Sequence, residues 1–398
     1  MSAFMITRRT FATTTKRVAV LGCGVAGSNF VREFTRYQDE NLQVDVYDAG
    51  RSPGGRASSM SNEYGTWDMG AQYISKPRTE DFNEVLKDWL ERGIIKEWHA
   101  RMLDCSDRIE STQIDDYKTC FVGVPSMQSI CELVEHDGLS VTSNCSVDCR
   151  YDRIKSVWRL INRNTKQVLG DYDWIVCTDR PNTEQILSKN GILGKEEGRT
   201  KSRYSTTLSC MIAVQNIKRE QVPFDAVKLH NHPVLSYISI ESSKPDRQDK
   251  QGEEIMSITL QSSEKFAKGL IESATKAWKI ESKQKTKTEG DKAFWSLRIA
   301  INKACEKPMY DAFYDLVSAS KLSFPKEAIY ARGFRWGRSF PINSWKGSYM
   351  LQKDDRMLMV GDYFDINETG EIGRIETSVV SARRGAQALR KEILTTTI

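Results

Sequence analysis

The apolar positions of this chain change period several times, and each change predicts an element. Residues 17–22, RVAVLG, are a short apolar run that predicts a buried strand. Residues 25–38 switch to a helical period, with Phe30, Phe34 and Tyr37 on one face. Residues 43–48, QVDVYD, alternate and predict a second strand, so the chain opens as a βαβ unit. Phe82, Val85, Leu86 and Trp89 recur at helical spacing and predict a helix over 81–98. Pro125 and Ser126 suit the start of another over 127–136. LSVTSN, VDCRYD, SVWRLIN and DYDWIVC then predict strands between 139 and 177, broken by turns. Further strands are expected at 208–215, 234–241 and 255–261, and helices at 264–279 and 309–317. The stretch 281–292, ESKQKTKTEGDK, is almost devoid of apolar groups and predicts an exposed insertion. RMLMVGDYFD and RIETSVVSARRGAQALRKEIL end the chain as strand, loop and helix.

The first strand and helix are joined by Gly22-x-Gly24-x-x-Gly27. Each glycine has a physical reason. Gly22 permits the tight turn, Gly24 lets a pyrophosphate approach the backbone, and Gly27 lets helix and strand pack closely. The N–H groups at the helix start, around Val25 and Ala26, then face the phosphate charge, aided by the helix dipole. Asp48 ends the second strand, followed by Ala49. An acid there accepts hydrogen bonds from a ribose diol and disfavours a 2′-phosphate. This much predicts a dinucleotide and leaves NAD and FAD both open.

With 398 residues, the chain is too long for one ordinary core and suggests two domains. Hydrophobic residues make up 39% and charged residues 28%, a globular balance, with no apolar run long enough to span a membrane. The net charge of +5 is concentrated at the start, where Arg8, Arg9, Lys16 and Arg17 stand with no acid. The rest is near neutral, so nothing beyond scattered charge supports a nucleic-acid surface, and no nucleic-acid partner is expected. The Arg- and Thr-rich segment 1–16 predicts a mitochondrial transit peptide, with a plastid address or a disordered cytoplasmic tail as alternatives. Nine scattered cysteines without C-x-x-C predict reduced thiols. His230 and His232 read as loop residues beside Pro233, and no metal site is expected.

Two further stretches bear on the choice of nucleotide. AGRSPGGRASS holds the paired Gly54 and Gly55, which permit close approach of a backbone to a phosphate. Arg56 follows as a cationic clamp or an exposed turn residue. In WDMGAQYIS, Gly70 and Ala71 permit a planar ring to approach and Gln72 offers a polar group. These stretches resemble the FAD-dependent amine oxidase superfamily, and within it the renalase-like branch. FVGVPSMQSICELV, DYDWIVCTDRPNTEQIL, YISIESSKPDR, ARGFRWGRSFP and the final GDYF with GRIETSVVSARRGAQAL are similar to segments of that branch. The resemblance covers most of 17–398. It implies non-covalent FAD, with Val147 on the adenine side and Asp362 at the ribityl chain. It also implies Ile375, Glu376 and Thr377 at the pyrimidine edge, where a helix N-terminus suits a reduced, anionic ring.

The resemblance implies an oxidase that moves a hydride from an amine or a reduced nicotinamide dinucleotide isomer to flavin N5, with reoxidation by O2. Gln72 would lie beside the ring, with Arg335 and Trp336 on the substrate side as anion binder and stacking surface. Alternatively Arg335 pairs with a core carboxylate and Trp336 packs at the domain junction. The substrate is a small molecule, related to NAD(P)H in one version; protein partners are not indicated. Departures gather on the substrate side: Phe334, Arg338, Asp179 and Arg180, and Ala382-Arg383-Arg384. They motivate a second reading, an FAD-binding accessory or assembly subunit of an organellar complex. A polyene or porphyrin desaturase is disfavoured by the polar 200–320 region. The expected fold is α/β. A Rossmann-type FAD-binding domain, of the two-dinucleotide-binding-domain flavoprotein kind, comprises 17–75, 121–190 and 331–398. An α+β substrate domain on an antiparallel sheet is inserted at 76–120 and 191–330.

Overall fold

The first apolar run becomes the centre of a largely parallel sheet. In the computed structural model, which describes residues 15–37, 39–109, 117–192, 201–247, 255–282 and 290–396, this sheet has six strands. Their order is Met350–Gln352, Met357–Met359, Trp174–Cys177, Lys16–Leu21, Leu42–Tyr47 and Val141–Thr142. Only the first pair is antiparallel. Val18, Ala19 and Val20 are fully buried, because helices and loops cover both faces of such a sheet. The helix Val25–Thr35 stacks Phe30 on Phe34 at 5.2 Å and shares a core with Ala382, Ala386, Leu389 and Ile393 of the last helix, Ile375–Thr396. Tyr37 lies past the first helix and is exposed, with the Arg390 guanidinium 5.4 Å from its ring. It is not on the buried face that the periodicity predicts.

The second sheet has seven strands, in the order Tyr330–Trp336, Thr207–Gln215, Ile255–Ser262, Leu235–Ile240, Ala226–Leu229, Ile95–Cys105 and Tyr117–Gly123. Its pairs are antiparallel except Ala226–Leu229 with Ile95–Cys105. Ile301, Cys305, Met309 and Phe313 of the helix Gly290–Ala319 pack on Leu208, Cys210, Ile212 and Ile258 of this sheet. The expected α/β fold with an inserted antiparallel sheet is therefore present. Among the described residues no helix is long and apolar enough to cross a membrane. None of the nine cysteines forms a disulfide.

Four local expectations change. The helix expected over 81–98 stops at Glu91, because Gly93 adopts φ +68°, and the next residues run as the strand Ile95–Cys105. DYDWIVC divides between two sheets. Val168–Tyr172 pairs in a three-stranded antiparallel unit, Trp174–Cys177 enters the parallel sheet, and Asp173 turns between them. The helix expected from 309 begins at Gly290 and runs through Pro308, where the sequence suggests a boundary. The expected insertion 281–292 overlaps two helix ends, and residues 283–289 lie outside the described residues. Of the N-terminal segment, 1–14 lie outside them too, and Lys16 already belongs to the first strand.

Candidate active site

Parallel strands direct their carboxyl ends to one edge, and a crevice opens where neighbouring strands leave the first in opposite directions. Here Lys16–Leu21 has Leu42–Tyr47 on one side and Trp174–Cys177 on the other. At those strand ends lies a cavity of about 790 Å³, lined by Leu21, Tyr47 and Cys177 among others. That volume is in the upper part of the range of about 300–1,000 Å³ typical of ligand and cofactor sites.

The glycine turn forms one part of the lining. Gly22, Gly24, Val25 and Ala26 all border the cavity. Gly22 has φ +100°, and a Cβ there would lie 2.4 Å from Thr178 Oγ1. Gly27 does not border it. A Cβ at Gly27 would stand 1.9 Å from the Gly22 carbonyl oxygen, so this glycine sets the packing of helix on strand, as its position in the motif requires. Gly54 donates its N–H to the Cys23 carbonyl at 2.9 Å, so the paired glycines bring two loops together. Gly55 and Arg56 border the cavity beside them.

Asp48 and Ala49 border it as well. Asp48 accepts the Cys23 N–H at 2.5 Å through Oδ2 and the Gly50 N–H at 2.6 Å through Oδ1. Each carboxylate oxygen keeps a second lone pair for an outside donor. Arg56 grips Asp362 in a two-pronged pair, with both contacts at 2.7 Å, and also donates to the Ser339 carbonyl at 3.1 Å. Asp362 thus faces the cavity already paired with a cation. The last helix begins beside it, with Arg374 and Ile375 in the lining. Val147 borders the same space.

Besides Gly27, three expected site residues are not in the lining. Glu376 turns back through Oε1 and accepts the N–H groups of Arg78 and Thr79, each at 2.8 Å, and the Thr79 hydroxyl at 3.0 Å. It thereby ties the last helix to the start of the helix Glu80–Glu91. Thr377 donates to the Glu371 carbonyl at 2.9 Å. Gln72 is buried and donates through Nε2 to the Asp68 carbonyl at 2.5 Å. Its Oε1 accepts from Lys244 Nζ at 3.3 Å. The side chain expected beside the ring instead joins a buried polar cluster, while Gly70 and Ala71 keep their place in the lining.

That cluster has no counterpart in the sequence reading. Asp68 accepts from Lys244 Nζ at 2.9 Å and Arg247 Nη2 at 2.6 Å, and the same two cations pair with Glu241 at 2.9 and 3.0 Å. All four side chains are buried. Burial opposes ionisation of Asp68, but the two cations outweigh it and hold its pKa at about 2. Burial, with the Asp68 charge, moves Glu241 upward instead. The cluster fastens the end of the strand Gly65–Asp68, and so Gly70 and Ala71, to the loop after Leu235–Ile240.

The other part of the lining comes from the seven-stranded sheet and its covering helix: Thr207, Gln261, Arg298, Phe334, Arg335 and Trp336. Trp336 donates to the Met69 carbonyl at 2.9 Å, and its ring centroid is 4.7 Å from that of Phe334. It both borders the cavity and packs at the junction of the sheets. Arg335 is in the lining, with its Nε buried and unpartnered, and among the described residues it has no carboxylate partner of the kind considered for it. Gly70 stands at the seam, since a Cβ there would meet the Arg56 carbonyl oxygen at 2.1 Å and Trp336 Cζ2 at 3.1 Å.

Residues 20–90 match the model of an NAD(P)-binding Rossmann-like domain. The fold extends further along solved structures. It is similar to a reduced UDP-galactopyranose mutase, with a TM-score of 0.61, 12% identity, and 96% of this chain and 94% of that chain covered. It is likewise similar to a protein assigned as a protoporphyrinogen oxidase from Exiguobacterium sp. 255-15, with a TM-score of 0.60, 10% identity and coverage of 95% and 99%. A putrescine oxidase redesigned in its cofactor binding aligns with a TM-score of 0.55, 10% identity and coverage of 94% and 99%. At these identities the likeness is one of fold.

Proposed function

We propose that this protein is an FAD-dependent oxidoreductase that removes a hydride from a small molecule, an amine or a reduced nicotinamide dinucleotide isomer, with O2 as the final acceptor. The observation that carries this reading is one continuous cavity. It joins the glycine turn and Asp48 to Asp362, Arg374 and Ile375, more than 300 residues later in the chain. The glycine turn and Asp48 suit the ADP half that NAD and FAD share. The far end of the same cavity, beside Asp362 and Ile375, leaves room for a ribityl chain and a larger ring. The residues present fit such a group. Backbone N–H donors stand at the helix start, Asp48 has no basic partner among the described residues, and Gly70 leaves a shallow floor next to Trp336.

The N–H groups around Gly24, Val25 and Ala26 would hold the pyrophosphate, and Asp48 the ribose diol. Bound there, FAD would supply the two-electron acceptor. The chain's own part is to position and to exclude. The Arg56–Asp362 pair would orient the polar chain between phosphates and ring, and the start of the last helix would favour negative charge at its end. Phe334 and Trp336 would wall the substrate side and keep water from the reacting carbon. The renalase-like branch within the superfamily rests on residue resemblance, and the mitochondrial address rests on the composition of 1–16.

Purified protein is expected to be yellow and to release flavin on heating. Anaerobic addition of the right donor should bleach it. A colourless protein that also fails to take up added FAD would overturn the proposal. A yellow protein bleached by no amine or nicotinamide isomer would favour the accessory-subunit reading.

A further inference from the structure

We propose that the substrate enters as an anion, its carboxylate or phosphate held by Arg335 and Arg298 beside Phe334 and Trp336. This rests on the flavin reading of the cavity and departs from its amine version.

The arrangement begins at Gly333. A Cβ there would stand 1.9 Å from the Asn302 carbonyl oxygen, so glycine lets the edge strand Tyr330–Trp336 ride directly on the helix Gly290–Ala319. Two residues along the strand stands Arg335. One turn back along the helix stands Arg298. Both reach the cavity. The Arg298 guanidinium lies 5.2 Å from the Phe334 ring centroid. Burial, and then the Arg335 charge, lowers the pKa of Arg298, as expected of like charges held together. Arg335 makes no ion pair among the described residues, and its Nε is buried without a hydrogen-bond acceptor. A planar guanidinium in that state is suited to an oxyanion, which it binds through parallel N–H bonds.

The carboxylates of the lining are engaged elsewhere. Asp362 is held by Arg56, Asp179 lies 3.4 Å from Arg338, and Asp48 receives two backbone N–H groups at the glycine turn. Among the described residues, an ammonium substrate would meet the two guanidiniums and no unengaged acid of the lining near Phe334. One face of that ring is already taken by the Arg298 guanidinium.

The test uses the full chain loaded with FAD and follows flavin absorption and tryptophan fluorescence. Benzoate and phenyl phosphate are titrated separately, with benzylamine as the cationic control. At least one anion should bind saturably and more weakly as salt rises, and benzylamine should not. The stronger of the two identifies the oxyanion. Arg335→Gln should weaken that binding about 10- to 100-fold, with Arg335→Lys intermediate. Should Arg335→Gln fail to fold by its melting curve, Arg298→Gln serves the same comparison. Absence of anion binding, preference for benzylamine, or unchanged anion affinity in the variants would overturn the inference while flavin binding stands. A chain that takes up no FAD would overturn the earlier proposal instead.

Discussion

Around the glycine turn, the cavity is lined by backbone: Gly22, Gly24 and Gly55 stand where side chains would intrude. Around the edge strand it is lined by long side chains, Arg298, Phe334, Arg335 and Trp336. The first lining is rigid and chemically general. Amide donors and a helix start suit any pyrophosphate, and their positions are set by main-chain packing. The second is adjustable and chemically particular. Its charge and shape depend on which side chains the strand and helix carry, so one fold can keep its cofactor and change its substrate. The two meet at Gly70, which the buried Asp68–Lys244–Glu241–Arg247 cluster holds in place.

Cutting the seam should have the largest effect. Lys244→Met leaves two buried carboxylates with one cation and should cost about 3–5 kcal/mol in urea unfolding. Breaking the backbone lining comes next. Gly27→Ala presses a methyl group onto the Gly22 carbonyl, and about 1–3 kcal/mol should be lost together with flavin retention, read from the absorption of the purified protein. Acid should reach the seam without mutation. Asp68 titrates at about 2 in the folded chain against 3.8 as an ordinary carboxyl. Its contribution is therefore complete above about pH 4 and is lost as pH falls towards 2, about 2 kcal/mol in all. Glu241 shifts the other way, and its opposing effect ends once pH falls below its ordinary value of 4.5. Asp68→Asn should reduce the slope between pH 4 and 2, and the remainder comes from other carboxyls held low by cations, such as Asp225 and Asp137. The smallest change in stability belongs to the side-chain lining. Arg335→Gln should move unfolding by no more than about 0.5 kcal/mol while weakening anion binding, and a large loss of stability would erase the distinction between the two linings.

The same division governs what could be read from the chain. Gly22, Gly24, Gly27 and Asp48 belong to one short βαβ unit, so spacing alone places them together. The ion cluster is invisible in that way, since Asp68 meets Lys244 and Arg247 from a strand and a loop more than 170 residues apart in the chain. The expectation for Gln72 follows from its neighbours Gly70 and Ala71, which do line the cavity. The competing hydrogen bonds from Lys244 and to the Asp68 carbonyl turn it away. Arg298 lies outside the expected helix, which covers 309–317, whereas the helix itself begins at Gly290. A run such as LRIAINKAC shows a helical period on inspection, but nothing in it points towards Phe334. Gly333 is the one local signal for that contact, and its meaning appears only when Asn302 is seen against it.

The order of the strands also has a consequence for synthesis. Met357–Met359 pairs with Trp174–Cys177, which pairs with the first strand. A growing chain therefore exposes its glycine turn early and carries an unfinished crevice until Asp362 and the helix Ile375–Thr396 have been made. Asp362, Arg374 and Ile375 close the far end only as the last helix leaves the ribosome. Until then the seven-stranded sheet can fold around its own core, but the cofactor has no complete seat. On the flavin reading proposed above, loading would be a late event in the life of each molecule, and a supply of free cofactor at that moment would help to decide how much of the newly made protein survives.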